Sequence, residues 1–329
     1  MRCLVTGGAG FLGSHVARDL AAAGHEVVVM DDLSGGFEDN VPPGAAFVRG
    51  TILDHDLVNR LFEERRFEAV YHLAAYAAEG LSHFIRRFNY ENNLVGTMNL
   101  INASVNYGVK CFVFTSSIAV YGAGRPPMTE GMAPAPEDPY GVAKAAIEAD
   151  LRIAHEIFGL DYVVFRPHNV YGENQNIGDR YRNVIGIFMN QIMQGKPLTI
   201  FGDGRQTRAF SYVREVSPLI AMAPEVAGAR NQVFNIGADA PVSLNDLARE
   251  VCAVWGVEPN IVHLAARNEV VHAYASHEKL RRVFPAPERT WTLREGLERM
   301  AAWAKSHGAR QSAPFKNVEI RKNLPASWA

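Results

Sequence analysis

The stretch RCLVTGGAGFLGSHVARDLAAAG, residues 2–24, decides the fold. A short apolar run is broken by Gly7, Gly10 and Gly13, and apolar residues then recur at helical spacing as far as Gly24. This reads as a buried strand, a tight glycine turn and a helix. Each glycine stands where a Cβ would obstruct something: the sharp turn, the approach of a ligand to the backbone, or the packing of the helix on the sheet. The helix start offers free N–H groups and the positive end of a dipole, which suits an anion. Taken alone, the triplet could serve packing only.

The second strand, EVVVM, supplies the context, because it ends in Asp31-Asp32, with Asp31 lying 18 residues after Gly13. An acid at that place accepts hydrogen bonds from adenosine ribose hydroxyls and repels a 2′-phosphate, so NAD is expected rather than NADP. Further apolar runs (AAFV, AVYHLA, CFVFTS, DYVVFRP) alternate with helical patterns. The alternation predicts an α/β fold: a Rossmann-like doubly wound parallel sheet. After about Tyr171 the rhythm becomes irregular, which suggests a smaller C-terminal α/β substrate-binding lobe over the carboxyl edge of the sheet. The expected division is 1–170, with returning segments at about 206–250, for the cofactor domain, and about 171–205 and 251–310 for the lobe. Residues 311–329 lose helical periodicity and read as an extended tail.

With 329 residues and 48% hydrophobic composition, the chain can bury a large core. Lys+Arg 33 against Asp+Glu 35 speaks against a nucleic-acid or polybasic membrane surface. No apolar run approaches the length of a membrane span, and the N-terminus reads as a strand rather than a signal peptide. Cys3, Cys111 and Cys252 have neither metal-ligand nor disulfide-framework spacing, so no metal and a cytoplasmic location are expected. Cys3 and Cys111 read as small core residues.

DPYGVAK, residues 138–144, places a Tyr and a Lys four apart just after an Asp-Pro. Asp138 can cap a helix and Pro139 suits its first turn, so Tyr140 and Lys144 project from one face a turn apart. An exposed helix turn would look the same in isolation. The wider set does not: TGGAGFLG, HLAA (72–75), FTSSIAVYG (114–122), YGVAK (140–144), FRPHNVYG (165–172) and FGDGRQTRAFSYV (201–213). With these motifs, from residue 1 to about 305, the chain resembles the extended short-chain dehydrogenase/reductases. Among them it looks most like the nucleotide-sugar 4-epimerases of the UDP-glucose type.

The resemblance implies a catalytic set of Ser117, Tyr140 and Lys144. Tyr140 transfers the proton, Lys144 helps it and holds the nicotinamide ribose, and Ser117 orients the sugar hydroxyl. A free phenol has a pKa of about 10, and a nearby ammonium and the positive nicotinamide ring both favour the phenolate. Expected NAD contacts are Gly7, Gly10, Phe11, Leu12, Gly13, Asp31, Asp32, Thr51, Ile52, Leu73, Ala74, Ala75, Tyr140, Lys144 and His168. Ser116 is expected to face the nicotinamide. Expected substrate contacts are Glu79, Asn169, Arg182, Asn183, Val184 and Arg208, with Arg267 and Glu269 aligned less closely. His72, at the end of an apolar strand, reads as structural, and Tyr121 as packing.

The implied reaction is C4 epimerisation of a nucleotide sugar through a 4-keto intermediate. Ser117 is followed by Ile118-Ala119, where the 4,6-dehydratases of the family carry an Asp-Glu pair, and no second acid–base set is evident. A UDP-uronic acid is an alternative substrate if Arg180 or Arg182 meets a carboxylate at C6. A keto-sugar reductase or dehydrogenase that releases its cofactor, and a non-catalytic NAD sensor, are further alternatives. Some positions depart from the family pattern. Thr51 replaces an acid, Ala77 or Ala78 stands where a Lys is common, His168 replaces Phe, and Ala209 follows the diphosphate Arg in place of an acid. The resemblance also implies a homodimer through helices at 83–107 and 139–158, with stripes Leu94, Met98, Ile101 and Ala146, Ala149, Ile153.

Overall fold

The computed structural model describes residues 1–266, 270–287, 289–311 and 315–328. The apolar runs form β1 (Arg2–Thr6), β2 (Glu26–Asp31), β3 (Ala46–Arg49), β4 (Ala69–His72), β5 (Cys111–Thr115) and β6 (Tyr162–Pro167). Short strands β7 (Val170–Tyr171), β8 (Leu198–Phe201), β9 (Thr207–Ala209) and β10 (Ser211–Tyr212) follow, and then β11 (Gln232–Ile236). The main sheet has 7 strands in the order β11-β6-β5-β4-β1-β2-β3. All its pairings are parallel. The chain steps outward from β1 to β3 and returns to the other edge of β1 with β4. That reversal opens a crevice at the carboxyl ends of the strands.

The helices are α1 (Phe11–Ala22), α2 (His55–Arg65), α3 (Glu79–Ser82), α4 (Arg86–Tyr90), α5 (Gly96–Asn106), α6 (Pro139–Phe158), α7 (Val184–Met193), α8 (Val213–Met222), α9 (Leu244–Trp255), α10 (Glu278–Val283) and α11 (Leu293–His307). Val16 and Leu20 of α1 and Val216 and Ile220 of α8 cover one face of the sheet. Phe62 of α2, Leu100 of α5, and Ile147 and Leu151 of α6 cover the other. Burial on both faces is why the strands read as continuous apolar runs rather than alternating ones.

The long helix expected around 83–107 is interrupted: a π-helical turn, Glu91–Val95, joins α4 to α5. Such turns widen a helix locally and occur often at functional sites; this one puts Asn92 on the cleft.

The lobe core gathers Phe188 and Met189 of α7, Leu247 and Val251 of α9, and Leu297 and Met300 of α11. Within the segment expected to return at 206–250, residues 213–236 rejoin the sheet domain as α8 and β11, while α9 sits in the lobe core. Leu280 of α10, expected in the lobe, packs with the sheet core instead.

Two expectations about surfaces need correction. The tail is not extended: its described part, 315–328, turns back and ends in a 3₁₀ turn, Ala326–Trp328, with Trp328 only 5% exposed. Loss of periodicity correctly removes a helix there, but isolated aromatic anchors leave no periodic signal. Of the two stripes assigned to a partner, Leu94, Met98 and Ile101 pack into the chain's own core. The α6 stripe is outward: Ala146, Ala149 and Ile153 are exposed, as are Val142 and Ile157. Among the described residues no helix is long and apolar enough to cross a membrane.

Candidate active site

A cleft of about 530 Å³ opens where the strand order reverses, and the described catalytic, cofactor and substrate candidates line it, Arg180 excepted. Arg267 and Glu269 lie outside the described residues.

At one end is the glycine turn. Gly7 has φ +71°, and a Cβ on it would stand 2.6 Å from the Ala74 backbone nitrogen. A Cβ on Gly13 would collide with the Gly7 carbonyl. The glycines therefore hold the β1 loop, the β4 loop and the start of α1 closer together than any side chain allows. Asp31, 9% exposed, accepts the Ala9 N–H at 3.1 Å and the Leu33 N–H at 2.8 Å. Burial raises its carboxyl above the usual range, and those backbone bonds act against the rise. Thr51 and Ile52 border this end, and Leu73, Ala74 and Ala75 line the cleft beyond it. A narrow cradle without Cβ atoms, an N-terminal helix turn and a carboxylate at the end of β2 fit a dinucleotide.

At the middle, α6 begins at the cleft wall. Asp138 caps it by accepting the Gly141 N–H at 2.9 Å, and Pro139 occupies the first turn. Tyr140 is 6% and Lys144 2% exposed. The Ser117 hydroxyl accepts the Ala119 N–H at 3.1 Å and lines the cleft with the Tyr140 phenol. Burial, then the charges of Glu79 and Asp138, push the phenol well above its ordinary value; the Ser117 hydroxyl and Arg182 act against them. The Lys144 ammonium donates to the Thr115 carbonyl at 2.7 Å and lies 4.6 Å from the Phe114 ring centroid. Burial pushes it down to about 7, with Glu148 opposing.

Ser116 turns away from the expected nicotinamide side, although it borders the cleft. Its hydroxyl donates to Glu148 at 2.5 Å. Glu148 is itself held by Arg166, whose Nε lies 2.9 Å away. His72 bridges Thr6 and Thr97 at 2.7 Å on either side, and burial keeps it neutral, as a structural residue would be. Tyr121 does more than pack: it receives the Arg166 guanidinium at 2.7 Å and donates to Asn235 at 2.7 Å.

At the far end, Arg208 donates to the Val270 and Val271 carbonyls. Asn169 and Asn183 both have positive φ, and Asn183, just before α7, donates its side-chain amide to the Val170 carbonyl rather than capping the helix. Arg182 pairs with Asp179 and lies 4.8 Å from the Tyr76 ring centroid. Arg180 lines a different cavity, with Lys196 and Arg310. His168 borders the cleft, but both its ring nitrogens face protein: Ala209 O at 3.0 Å and His277 Nε2 at 2.9 Å.

Sequence reasoning missed three supports. Asn93 accepts the Tyr76 N–H at 2.8 Å and donates to Asn89, which donates to the Pro139 carbonyl. This asparagine ladder ties the β4 loop to the first turn of α6. Its signal was present as two asparagines four apart in a buried helix. Glu148 and Arg166 form the second support, and the C-terminal aromatics the third.

The sequence profile of the NAD dependent epimerase/dehydratase family matches residues 3–237. The chain is 36% identical over 263 residues to the UDP-glucose 4-epimerase of Mycolicibacterium smegmatis, which covers 78% of this chain and 83% of that protein. The crystal structure of a UDP-glucose 4-epimerase with UDP-glucose, from Thermotoga maritima, superposes with a TM-score of 0.88 at 33% identity, over 93% of this chain and 99% of that one. A UDP-glucuronic acid 4-epimerase from Bacillus cereus, solved with UDP-glucuronic acid and NAD, gives 0.85 at 29% identity, over 93% and 100%. The family match alone spans more than half of the sequence, and the chain belongs to the NAD dependent epimerase/dehydratase family.

Proposed function

We propose that the protein is an NAD-dependent nucleotide-sugar 4-epimerase that interconverts UDP-glucose and UDP-galactose. The convergence of Ser117, Tyr140 and Lys144 beside the glycine cradle carries this reading. The cradle and Asp31 hold the dinucleotide, with Asp31 exchanging backbone N–H donors for ribose hydroxyls. NAD supplies a reversible acceptor for the hydrogen at C4. Tyr140 takes the C4 hydroxyl proton and later returns it, while Ser117 holds that hydroxyl in line. Lys144, one turn along α6 from Tyr140, would hold the ribose with its N–H groups and would favour the phenolate by its charge. Arg208 and the N-terminal turn of α7 suit the diphosphate and nucleotide end. Ile118 and Ala119 after Ser117 offer no group for elimination at C5, so the keto sugar has only to turn over. Three unpaired, buried cysteines fit a reducing cytoplasm.

The exposed α6 stripe supports a homodimer, since a monomer gains nothing from apolar side chains in water along one helix edge. Sedimentation equilibrium should give a dimer that Ile153→Asp converts to monomer; a monomeric wild type would remove this part of the reading.

Proton NMR of the purified protein with UDP-glucose, and no added NAD, should show UDP-galactose forming. Tyr140→Phe should lower the rate by about 10²–10⁴-fold with bound NAD unchanged. Retained NAD without interconversion would point to a different nucleotide sugar, and NAD lost on purification to a reductase or dehydrogenase.

Lys144 gives a pH test. Its folded value of about 7 lies below the unfolded value of 10.5, so between them the unfolded chain binds more protons. The ligand-free protein should therefore gain stability from this group as pH rises from about 7. Calorimetry of Lys144→Met should show a flatter rise in Tm between pH 7 and 9; parallel curves would contradict the burial argument.

A second reading, a UDP-uronic acid substrate, is favoured by one observation: Arg182 lines the cleft and its charge bears on Tyr140. Asp179 now occupies the guanidinium as a sugar carboxylate would. Under this reading Arg182→Ala lowers kcat/KM for UDP-glucuronate at least about tenfold more than for UDP-glucose, a difference of about 1.4 kcal/mol. Equal losses sink it.

A further inference from the structure

The C-terminal segment lies beyond the family resemblance, which fades near residue 305, and it does not trail into solvent. Phe315 packs against Tyr76 and Phe88, with ring centroids 5.5 and 5.0 Å away, and its N–H donates to the Tyr181 hydroxyl at 2.9 Å. Glu319 accepts the N–H groups of Arg87 and Phe88 at 2.8 and 2.9 Å, and its own N–H donates to the Phe84 carbonyl. Trp328 closes the set. It meets Phe84 and Tyr181 edge-on, and a Cβ on Gly80 would stand 3.0 Å from its ring.

The surface beneath is the back of the cleft wall. Tyr76, Glu79, Tyr181 and Arg182 all line the cleft that Tyr140 lines. Tyr76 is held from both sides, with the Arg182 guanidinium 4.8 Å from its centroid and Phe315 against it. Trp328 sits on Gly80, the residue next to Glu79, and on Tyr181, the residue next to Arg182. One short stretch of chain thus braces the supports of an acid and a base of opposite charge at the sugar end.

We propose that residues 315–328 form a strap that positions Glu79 and Arg182 beside Tyr140 and so sets which sugar the cleft accepts. Phe315, Glu319 and Trp328 act as positioning residues, since none of them lines the cleft. The ligand class is the sugar of a nucleoside diphosphate sugar, whose hydroxyl or carboxyl substituents meet the Glu79–Arg182 pair; this rests on the epimerase reading. Arg182 also lies against Gly35 of the loop after β2, so NAD and UDP binding are measured beside the sugar.

The test uses the NAD-loaded full chain, Phe315→Ala, Trp328→Ala, Trp328→Phe, and a chain ending at Gln311. Hydrogen exchange needs no substrate: removing the strap should raise exchange in residues 76–90, and unchanged protection there overturns the proposal. With UDP-glucose, Trp328→Ala and Phe315→Ala should raise KM about tenfold, equivalent to about 1.4 kcal/mol. kcat, bound NAD and affinity for UDP alone should stay near wild type, and Trp328→Phe should recover most of the loss. Unchanged KM, or equal losses for UDP and UDP-glucose, overturns it. If the shortened chain fails to fold, the point variants decide. A wild type that turns over no nucleotide sugar refutes the epimerase reading instead, and the strap then stands or falls on the exchange data.

Discussion

The approach of the Gly7 backbone to Ala74 is the constraint on which the cleft depends. It joins the loops after β1 and β4, the two strands between which the sheet order reverses. Any side chain at Gly7 would have to displace Ala74 backbone, not a flexible tip. Gly13 repeats the constraint from the other side by seating α1 on the Gly7 carbonyl. Around this contact the polar groups are tied rather than loose. Thr6 holds His72, His72 holds Thr97 of α5, and Asp31 reaches across to Ala9. Buried polar groups tolerate such a place only when paired, and pairing fixes their geometry.

Behind the reacting hydroxyls lies a second organising feature, the Glu148–Arg166 pair, with side chains 8% and 4% exposed. Removing two charges from water costs several kcal/mol per ion, so the pair is a weak source of stability. Its value here is directional. Glu148 takes the Ser116 hydroxyl, and the guanidinium is completed by Tyr121. Ser117, the next residue, has extended backbone (φ −161°, ψ 156°), so its side chain points the opposite way, toward the cleft. A salt bridge on the far side of the chain thereby takes up one of two adjacent serines and leaves Ser117 to the cleft.

What the sequence made legible follows from range. Five of the first six strands were readable because strands buried on both faces are apolar throughout, and β3, half-buried at the sheet edge, was readable from its short apolar run. The glycine turn and the Tyr140–Lys144 pair were readable because their chemistry is written in spacing over a few residues. β11 was not, since QVFNI interrupts its apolar residues with Gln232 and Asn235, and Asn235 serves Tyr121 rather than the core. Glu148 and Arg166 belong to different motifs and meet only once α6 crosses β6. The outward turn of Ser116 could not precede knowledge of that pair. The Leu94, Met98, Ile101 stripe was visible as a stripe, but periodicity does not say which surface it faces. The tail was read by its lack of period, although Phe315 and Trp328 anchor it singly.

The electrostatics of Tyr140 connect these features to the chemistry. In the ligand-free protein burial and the Glu79 and Asp138 charges keep the phenol protonated, and the ammonium of Lys144 is directed at the Thr115 carbonyl. The protein alone therefore does not make the base. Arg182 and Ser117 act in the right direction but lose to desolvation. A positive charge bound in the cleft would add the missing Coulomb term in a site with little water, where it counts most. A neutral occupant would not. Burial that looks unfavourable for a catalytic tyrosine would thus make its acidity depend on the charge of whatever is bound beside it, with Ser117 and Arg182 supplying the protein's share.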